Sequence, residues 1–195
     1  LIADLKEEHI DALLQQEGIT DIKAHLFYPG YIDNRDLVTL YSAAFAFLYP
    51  SLRESFGIPM LEAMACGTPV ITSNTSAMPE VAGADAILVN PQMPSEIADA
   101  ILQLEKNNDF YRQQSAYITV SHFECTRIRE ALHLPNRQIT AVYNGYSTHF
   151  RKNETLDENI IQKYIPQEGF LFFLGNTDPK KNAARTLKAY SLYLK

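Results

Sequence analysis

Apolar runs of strand length alternate with amphipathic segments of helix length along most of the chain. The runs at 44–50, 86–89 and 170–174 are almost continuously apolar, which is typical of strands that are covered on both faces. Residues 7–17 and 94–106 instead carry apolar residues at helical spacing, which predicts helices. The repetition of strand, loop and helix predicts an α/β fold with a Rossmann-like, doubly wound parallel sheet.

Turn and capping residues divide the rest of the chain into further elements. Asp33 or Asn34 is expected to cap a helix, and Gly67 to end the helix of the central segment. Strands are predicted at 1–5, 24–28, 69–72, 117–121 and 139–143, and helices or helical turns at 34–44, 60–65, 79–82, 122–134 and 183–194.

Composition narrows the class of protein. With 195 residues, of which 46% are hydrophobic, the chain can form one or two domains with a substantial core. The net charge of −6 and the lack of a basic stripe argue against a nucleic-acid partner. No apolar run reaches the roughly 18 residues of a membrane span. Because the two cysteines, Cys66 and Cys125, form neither a disulfide framework nor a zinc motif, we expect a cytoplasmic protein, with a peripheral position at the inner membrane face left open.

The segment from Glu54 to Glu62 carries the most informative chemistry in the chain. Its sequence, ESFGIPMLE, places two carboxylates around a turn that contains Gly57 and Pro59. Glycine lets a backbone approach a ligand closely, and proline suits the first turn of a helix. Since unpaired N–H groups at a helix start favour anions, the segment predicts a site for a diphosphate or sugar hydroxyls. For either glutamate alone, a capping or solvated role is the alternative.

Further loops are expected to lie beside this segment. Lys180 and Lys181 precede a predicted helix, where an ammonium group and the helix dipole act on the same anion. A solvated corner is the alternative for such a pair. Residues 30–31 and 73–76 follow predicted strands, and ligands of doubly wound sheets bind at the carboxyl ends of the strands. We therefore expect these loops to converge on one cleft.

The stretch at 49–73, YPSLRESFGIPMLEAMACGTPVITS, closely resembles glycosyltransferase family 4, the retaining transferases of the GT-B fold. The segments ITVS at 118–121, VYNG at 142–145 and FLGNTDPKKN at 173–182 resemble the part of that family that crosses from the acceptor domain into the donor domain. The resemblance covers nearly the whole chain. It implies a GT-B donor domain together with a remnant of the acceptor domain.

The two halves of the resemblance stand in the reverse of the family order, as in a circular permutation. The resemblance assigns residues 151–195 to the first part of the donor domain and residues 1–115 to its second part. Residues 116–150 correspond to the end of the acceptor domain and the crossover. Three explanations remain open: a permuted or engineered chain, pieces numbered in a changed order, and a fusion after a large deletion. The lack of a Gly/Ser linker at 114–116 disfavours engineering. A missing acceptor domain or a second chain is expected to cover the open strand edges.

The resemblance implies roles for single residues. Glu54 matches the glutamate near the transferred sugar and is the expected catalytic residue, since a carboxylate can stabilise an oxocarbenium-like centre. Glu62 matches the glutamate that binds the nucleotide ribose. Lys181, and less closely Lys180, match the diphosphate-binding position, where a cation stabilises the charge of the departing nucleoside diphosphate. The remaining expected ligand contacts are the main chains of Phe56, Gly57 and Ile58, together with Gly30 and Tyr31, whose ring could contact the base.

Two departures from common transferase patterns affect the expected site. Asn176 stands where many relatives carry an arginine, so either the lysines alone or a residue elsewhere would hold the diphosphate. The chain has no Asp-x-Asp motif, and therefore lacks the usual ligands for a metal that bridges protein and diphosphate. We expect no metal and no cofactor.

The sequence thus predicts a retaining glycosyltransferase that moves a hexose from a nucleotide diphosphate sugar to a glycan or lipid-linked acceptor. The Pro-Lys-Lys-Asn and Tyr-Pro-Ser forms are similar to those of mannosyltransferases, so GDP-mannose is the first expected donor and UDP-glucose the second. The chain by itself is expected to be incomplete for catalysis. A non-catalytic sugar-nucleotide binding domain and a sugar-nucleotide epimerase of the same architecture are the alternatives.

Overall fold

The computed structural model describes residues 2–3, 6–114, 118–119, 140–141, 156–165, 170–174 and 179–194. The strands are β1 (Ile2–Ala3), β2 (Ala46–Tyr49), β3 (Val70–Ser73), β4 (Ile87–Val89), β5 (Ile118–Thr119), β6 (Thr140–Ala141) and β7 (Leu171–Leu174). The α-helices are α1 (Glu7–Gln16), α2 (Asn34–Ala43), α3 (Ile58–Ala65), α4 (Met78–Ala82), α5 (Pro94–Gln114), α6 (Glu158–Tyr164) and α7 (Ala183–Tyr193). Single 3₁₀ turns lie at Lys23–His25 and Pro179–Lys181.

Five strands form one parallel sheet in the order β1–β7–β2–β3–β4. β7, although late in the chain, lies inside this sheet between β1 and β2, where Phe172 pairs with Phe47 of β2 and Phe173 pairs with Ile2 of β1. β5 and β6 form a separate parallel pair. The parallel sheet with helices between its strands confirms the predicted α/β, Rossmann-like fold.

Apolar side chains cover the main sheet on both faces, because alternate residues of a strand point to opposite sides. On one face, the rings of Phe47, Phe172 and Tyr41 of α2 have centroids 5.0–5.4 Å apart. On the other face, Leu48 and Phe173 pack in a second core with residues of α1, α5 and α7. Helices on both faces make the sheet doubly wound, as predicted.

Two helices near the carboxyl ends of the strands begin as their sequences predict. The side chain of Asp33 accepts a hydrogen bond from the N–H of Arg35 at 2.9 Å and caps α2. α3 starts directly after Gly57, whose φ of +84° lies in the left-handed region, and Pro59 occupies its first turn. A glycine is favoured at this junction because L side chains rarely adopt that conformation.

A carboxylate on α2 holds the short helix α6. Asp36 accepts hydrogen bonds from the ammonium group of Lys163 at 2.7 Å and from the hydroxyl of Tyr164 at 2.6 Å. These bonds lower the pKa of the Asp36 carboxyl. The connector that precedes β7 is thereby packed against a helix of the main sheet, although its residues are more than a hundred positions away from α2 in the chain.

Some of the predicted elements need correction. The strand predicted at 24–28 is wrong, since Lys23–His25 form a 3₁₀ turn and residues 26–29 make no strand ladder among the described residues. Phe27 packs against one core and Leu26 and Tyr28 against the other, which explains the strand-like alternation. α5 extends past the predicted 106, with non-helical dihedral angles at Asn107. The predicted helix at 122–134 and most of the strand at 139–143 lie outside the described residues.

The start of α7 is joined to two loops of the main sheet by one buried amide. Asn182 is only 3% exposed and adopts a φ of +62°. Its Nδ2 donates to the carbonyls of Pro50, which follows β2, at 2.9 Å and of Pro91, which follows β4, at 2.5 Å. Its Oδ1 accepts from the guanidinium of Arg185 at 3.2 Å. The loops after β2 and β4 therefore have a fixed position relative to α7.

We predict that Asn182→Ala lowers the free energy of unfolding by about 3 kcal/mol. It leaves two buried carbonyls without their donor and places a Cβ-bearing residue without a compensating side chain in the left-handed region. Asn182→Gly loses the same hydrogen bonds without the backbone strain, so its cost should be about 1 kcal/mol smaller. Urea denaturation of both variants measures this difference. Asn74→Ala, at an exposed loop position, is the control; equal stability of Asn182→Ala and the unmodified chain would contradict the prediction.

Candidate functional site

Three loops meet at the carboxyl end of β2. Glu54 follows β2, Ser76 follows β3, and Lys181 precedes α7. The Lys181 ammonium donates to Oε1 of Glu54 at 2.5 Å, and the N–H of Glu54 donates to Oγ of Ser76 at 3.2 Å. Three of the segments that the sequence singles out are therefore brought into direct contact.

The ion pair of Lys181 and Glu54 is largely withdrawn from water. The side chains are 16% and 12% exposed, respectively. The same ammonium donates to the hydroxyl of Tyr49 at 2.8 Å and lies 4.8 Å from the centre of that ring. Burial, together with the nearby negative charge of Glu54, raises the pKa of Tyr49 well above its ordinary value, so its hydroxyl stays neutral. An ammonium group has three donors, and two of these are directed at Glu54 and Tyr49.

Tyr49 was not among the residues that the sequence predicts for the site. It is the last residue of β2 and is almost fully buried, so its aromatic character indicates a core position. Its hydroxyl nevertheless reaches the loop beyond the strand, where Lys181 lies. The signal that could have identified it is its place at the carboxyl end of a strand in a doubly wound sheet, where ligand sites form.

Gly57 has a packing role besides the one expected from its sequence. A Cβ built at this position would lie 2.6 Å from Cε and 3.1 Å from Sδ of Met78, and 3.6 Å from Tyr49. Met78 is fully buried at the start of α4. A side chain at Gly57 would therefore force the end of the Met78 side chain to move, in addition to requiring a strained backbone.

The other residues expected around this turn differ in exposure. Ile58 is exposed at the start of α3, whereas Phe56 is partly buried against the core. Among the described residues, the N–H groups of Phe56, Gly57 and Ile58 donate to no backbone carbonyl. Lys180 has an exposed side chain, and its carbonyl accepts from the N–H of Leu52 at 2.6 Å. The main chain of this lysine thus helps to hold the loop that leads to Glu54.

Glu62 lies one turn into α3 with its carboxylate partly buried. Its Oε2 accepts a hydrogen bond from the hydroxyl of Tyr41 at 3.3 Å. Burial raises the pKa of Glu62 to about 7, and the hydrogen bond from Tyr41 opposes this shift. No ion pair joins Glu62 to Lys181 within the part of the chain that the structure describes. A ligand that contacts both residues would have to extend between them.

The remaining expected contacts lie on the loop before α2. Gly30 has a φ of +71° with open space where a Cβ would stand, in keeping with the predicted turn. The ring of Tyr31 is 78% exposed. Among the described residues, no hydrogen bond links this ring to Glu54 or Lys181, and its expected contact with a nucleotide base stays a prediction.

The described residues contain neither a candidate metal site nor a membrane-spanning helix. Among them, no group of three or more His, Cys, Asp or Glu side chains is arranged to hold a metal ion; the expectation that no metal takes part stays a prediction. No helix in the described ranges combines the length and apolar character needed to cross a membrane.

Comparisons with known proteins agree on one family. Residues 4–119, which are 116 of the 195, match the family model of glycosyl transferases group 1. Over 76 residues the chain is 47% identical to O-antigen chain mannosyltransferase B of Escherichia coli. The aligned segment covers 39% of this chain and 20% of that protein. Over 115 residues it is 34% identical to O-antigen chain mannosyltransferase RfbU of Salmonella typhimurium, which covers 58% of this chain and 33% of that protein.

A relative from a different group of bacteria has a name that specifies its donor. Over 125 residues the chain is 31% identical to the GDP-mannose-dependent alpha-(1-6)-phosphatidylinositol dimannoside mannosyltransferase of Mycobacterium tuberculosis, which covers 59% of this chain and 33% of that protein. The chain thus spans a third or less of the length of these three relatives.

We predict that Glu62→Gln changes how stability depends on pH. Because the folded-state pKa is raised from 4.5 to about 7, the folded chain keeps a proton that the unfolded chain releases, and stability falls as pH rises between these values. The variant lacks this loss, so its advantage over the unmodified chain should grow between pH 5 and 8, by on the order of 2 kcal/mol after allowance for solvent screening. Urea denaturation across this range measures it. Glu8→Gln, at an exposed carboxylate, is the control; an advantage independent of pH would refute the assignment.

We also predict that Glu54 and Lys181 stabilise the fold as a pair. Glu54→Gln and Lys181→Met should each lower the free energy of unfolding by about 2–3 kcal/mol, since each leaves a poorly solvated charge unpaired. The double variant should cost at least about 1 kcal/mol less than the sum of the single variants. A double-mutant cycle by urea denaturation provides the coupling.

The matched control for this cycle is the more exposed pair of Lys188 and Glu17, whose side chains are 49% and 26% exposed and whose charged atoms lie 3.7 Å apart. Its coupling is expected to stay below about 1 kcal/mol, as is usual for surface pairs. Additive costs at Glu54 and Lys181, indistinguishable from those of the control pair, would mean that the contact does not stabilise the fold.

Proposed function

Because this chain belongs to the family of glycosyl transferases group 1, we propose that it binds a nucleotide diphosphate sugar as the donor of a retaining hexosyl transfer. The acceptor in this proposal is a glycan or a lipid-linked glycan. A missing acceptor domain, or a second chain, supplies the other wall of the site. The observation that carries the proposal is the contact of Lys181, Glu54 and Tyr49 beside the start of α3.

The arrangement around Lys181 suits the diphosphate of such a donor. Two donors of its ammonium group are directed at Glu54 and Tyr49, which leaves one for a phosphate oxygen. The N–H groups of Phe56, Gly57 and Ile58, which donate to no described backbone carbonyl, lie at the N-terminus of α3, where the helix dipole favours an anion. A diphosphate at this point would meet a cation and backbone donors together.

Charge development during transfer gives these residues their proposed roles. When the nucleoside diphosphate departs, negative charge grows on its phosphate, and Lys181 stabilises it. The anomeric carbon becomes electron-poor at the same time, and the carboxylate of Glu54 stabilises this centre. Glu62, further along α3, accepts hydrogen bonds from the ribose hydroxyls in its ionised form. The two glutamates thus act on opposite ends of one extended donor.

We propose GDP-mannose as the donor and UDP-glucose as the second choice. Support comes from the names of the relatives, two of which are O-antigen chain mannosyltransferases and one of which is described as GDP-mannose-dependent. The identity to these relatives is 31–47% over the aligned segments. Base recognition would then fall to residues such as Tyr31 on the exposed loop before α2.

One observation favours a second candidate function, a non-catalytic sugar-nucleotide binding domain. Lys181 and Glu54 form an ion pair and neutralise each other, and a domain that only binds would have no need to release Glu54 for chemistry. Transfer of hexose by the complete protein separates the candidates, because the binding domain would take up donor without forming product. No feature of the described residues favours the epimerase alternative.

The proposal is tested by calorimetric titration of the chain with GDP, UDP, GDP-mannose and UDP-glucose. We expect micromolar binding of the guanine nucleotides and at least tenfold weaker binding by Lys181→Met and Glu62→Ala, since each loses a charged contact to the ligand, of about 1.4 kcal/mol or more. Lys188→Met, on the exposed part of α7, is the control for a change in net charge. Tighter binding of the uracil nucleotides would replace GDP-mannose by UDP-glucose as the proposed donor. The absence of binding of any nucleotide to a folded chain would reject the site.

A further inference from the structure

Ser76 makes an unusual double contact with the main chain of Glu54. Its Oγ accepts a hydrogen bond from the N–H of Glu54 at 3.2 Å and donates one to the carbonyl of the same residue at 2.5 Å. Only a hydroxyl side chain this short can donate and accept at one atom. Both polar groups of the Glu54 backbone are thereby held by a single side chain from the loop between β3 and α4.

The backbone of Ser76 is held in an unfavourable conformation. Its φ of +60° lies in the left-handed region, although it is not a glycine. The residue is exposed, so water competes for its hydrogen bonds and they contribute little to folding stability. A strained residue with little gain in stability is typical of positions that serve a site.

The same loop also supports the far side of the turn. Two residues after Ser76, the buried side chain of Met78 lies where a Cβ on Gly57 would stand. Ser76 in the loop between β3 and α4 and Met78 at the start of α4 therefore contact the two ends of the segment 54–57. The carboxylate of Glu54 is held by a different residue, Lys181. Its main chain and its side chain thus have separate partners.

We infer that Ser76 is a positioning residue that fixes the carboxylate of Glu54 at the donor sugar. This inference rests on the proposed function, in which Glu54 contacts the transferred hexose. The hydroxyl of Ser76 prevents rotation of the Glu54 peptide groups, so that the carboxylate stays in place when a phosphate oxygen draws on Lys181. Glu54 loses part of its side-chain restraint at that moment, and the restraint on its main chain remains.

The test compares binding of GDP and GDP-mannose to Ser76→Ala, Ser76→Gly and Ser76→Thr by calorimetry, with melting temperatures measured in parallel. The ratio of the two dissociation constants isolates the contact with the sugar. We expect Ser76→Ala and Ser76→Gly to lower the ratio of the GDP dissociation constant to the GDP-mannose dissociation constant about tenfold, while GDP alone binds as before. Ser76→Thr should keep this ratio. Because threonine is branched at Cβ, the Ser76→Thr variant should melt at a lower temperature than the Ser76→Gly variant. Stability and sugar binding should therefore change in opposite directions between these two variants. Ser42→Ala, which loses a hydrogen bond on α2, is the control.

A purely structural role would make the ratio follow the melting temperature, and an unchanged ratio in Ser76→Ala would overturn the inference. The inference would also be overturned if Ser76→Ala changed the ratio further in a Glu54→Gln background. A residue that acts through the Glu54 carboxylate has no effect once that carboxylate is absent. If the folded chain binds no nucleotide, the proposed function fails. The coupling energy between Glu54 and Lys181, measured without ligand, then tests whether Ser76 positions Glu54. Positioning requires this coupling to fall by about half in Ser76→Ala; an unchanged coupling rejects it.

Discussion

The site depends on one buried side chain that has no contact with a ligand in the proposal. Asn182 bonds to the carbonyls after β2 and β4 and begins α7 in a left-handed conformation. The preceding residue, Lys181, is thereby carried to the end of β2, where its ammonium reaches Glu54. An apolar residue at 182 would leave both carbonyls unpaired in the interior. The backbone at Lys181 is thus positioned by the hydrogen bonds of Asn182, and the ion pair with Glu54 then orients its ammonium group.

The pairing of Lys181 with Glu54 constrains what a ligand can do. The two charges compensate each other at a poorly solvated point, so the pair does not attract an anion by net charge. In the proposal, a diphosphate is therefore bound by hydrogen bonds from the Lys181 ammonium and from the N–H groups at the start of α3 together. Once it shares the ammonium, the carboxylate of Glu54 is less compensated, and a positive centre on the sugar becomes its next partner. Binding of the phosphate and stabilisation of the anomeric carbon are linked through one lysine.

Several of the described elements could be predicted from the sequence, whereas the contacts between them could not. The buried strand at β2, the cap at Asp33 and the turn at Gly57 follow from local rules of apolar pattern and backbone conformation. Tyr49 was missed, and the loop 73–76 was expected at the cleft without a role for Ser76, because both roles arise from contacts between residues far apart in the chain. The strand predicted at 24–28 failed for a related reason. Its side chains alternate between the two cores, but alternation does not specify a partner strand.

The position of β7 determines when the site can form. Its neighbours in the sheet are β1 and β2, so β1 can join the other strands only when residues 171–174, from late in the chain, lie between it and β2. The contact of Lys181 with Glu54 likewise joins residues 127 positions apart, and contacts of such separation form late and slowly in folding. If β7 and α7 instead preceded β1, as in the family order that the sequence resembles, these three elements would form a local β–α–β unit with adjacent strands. The long separation is therefore a property of the segment order, and the same sheet would assemble from neighbours in the other order.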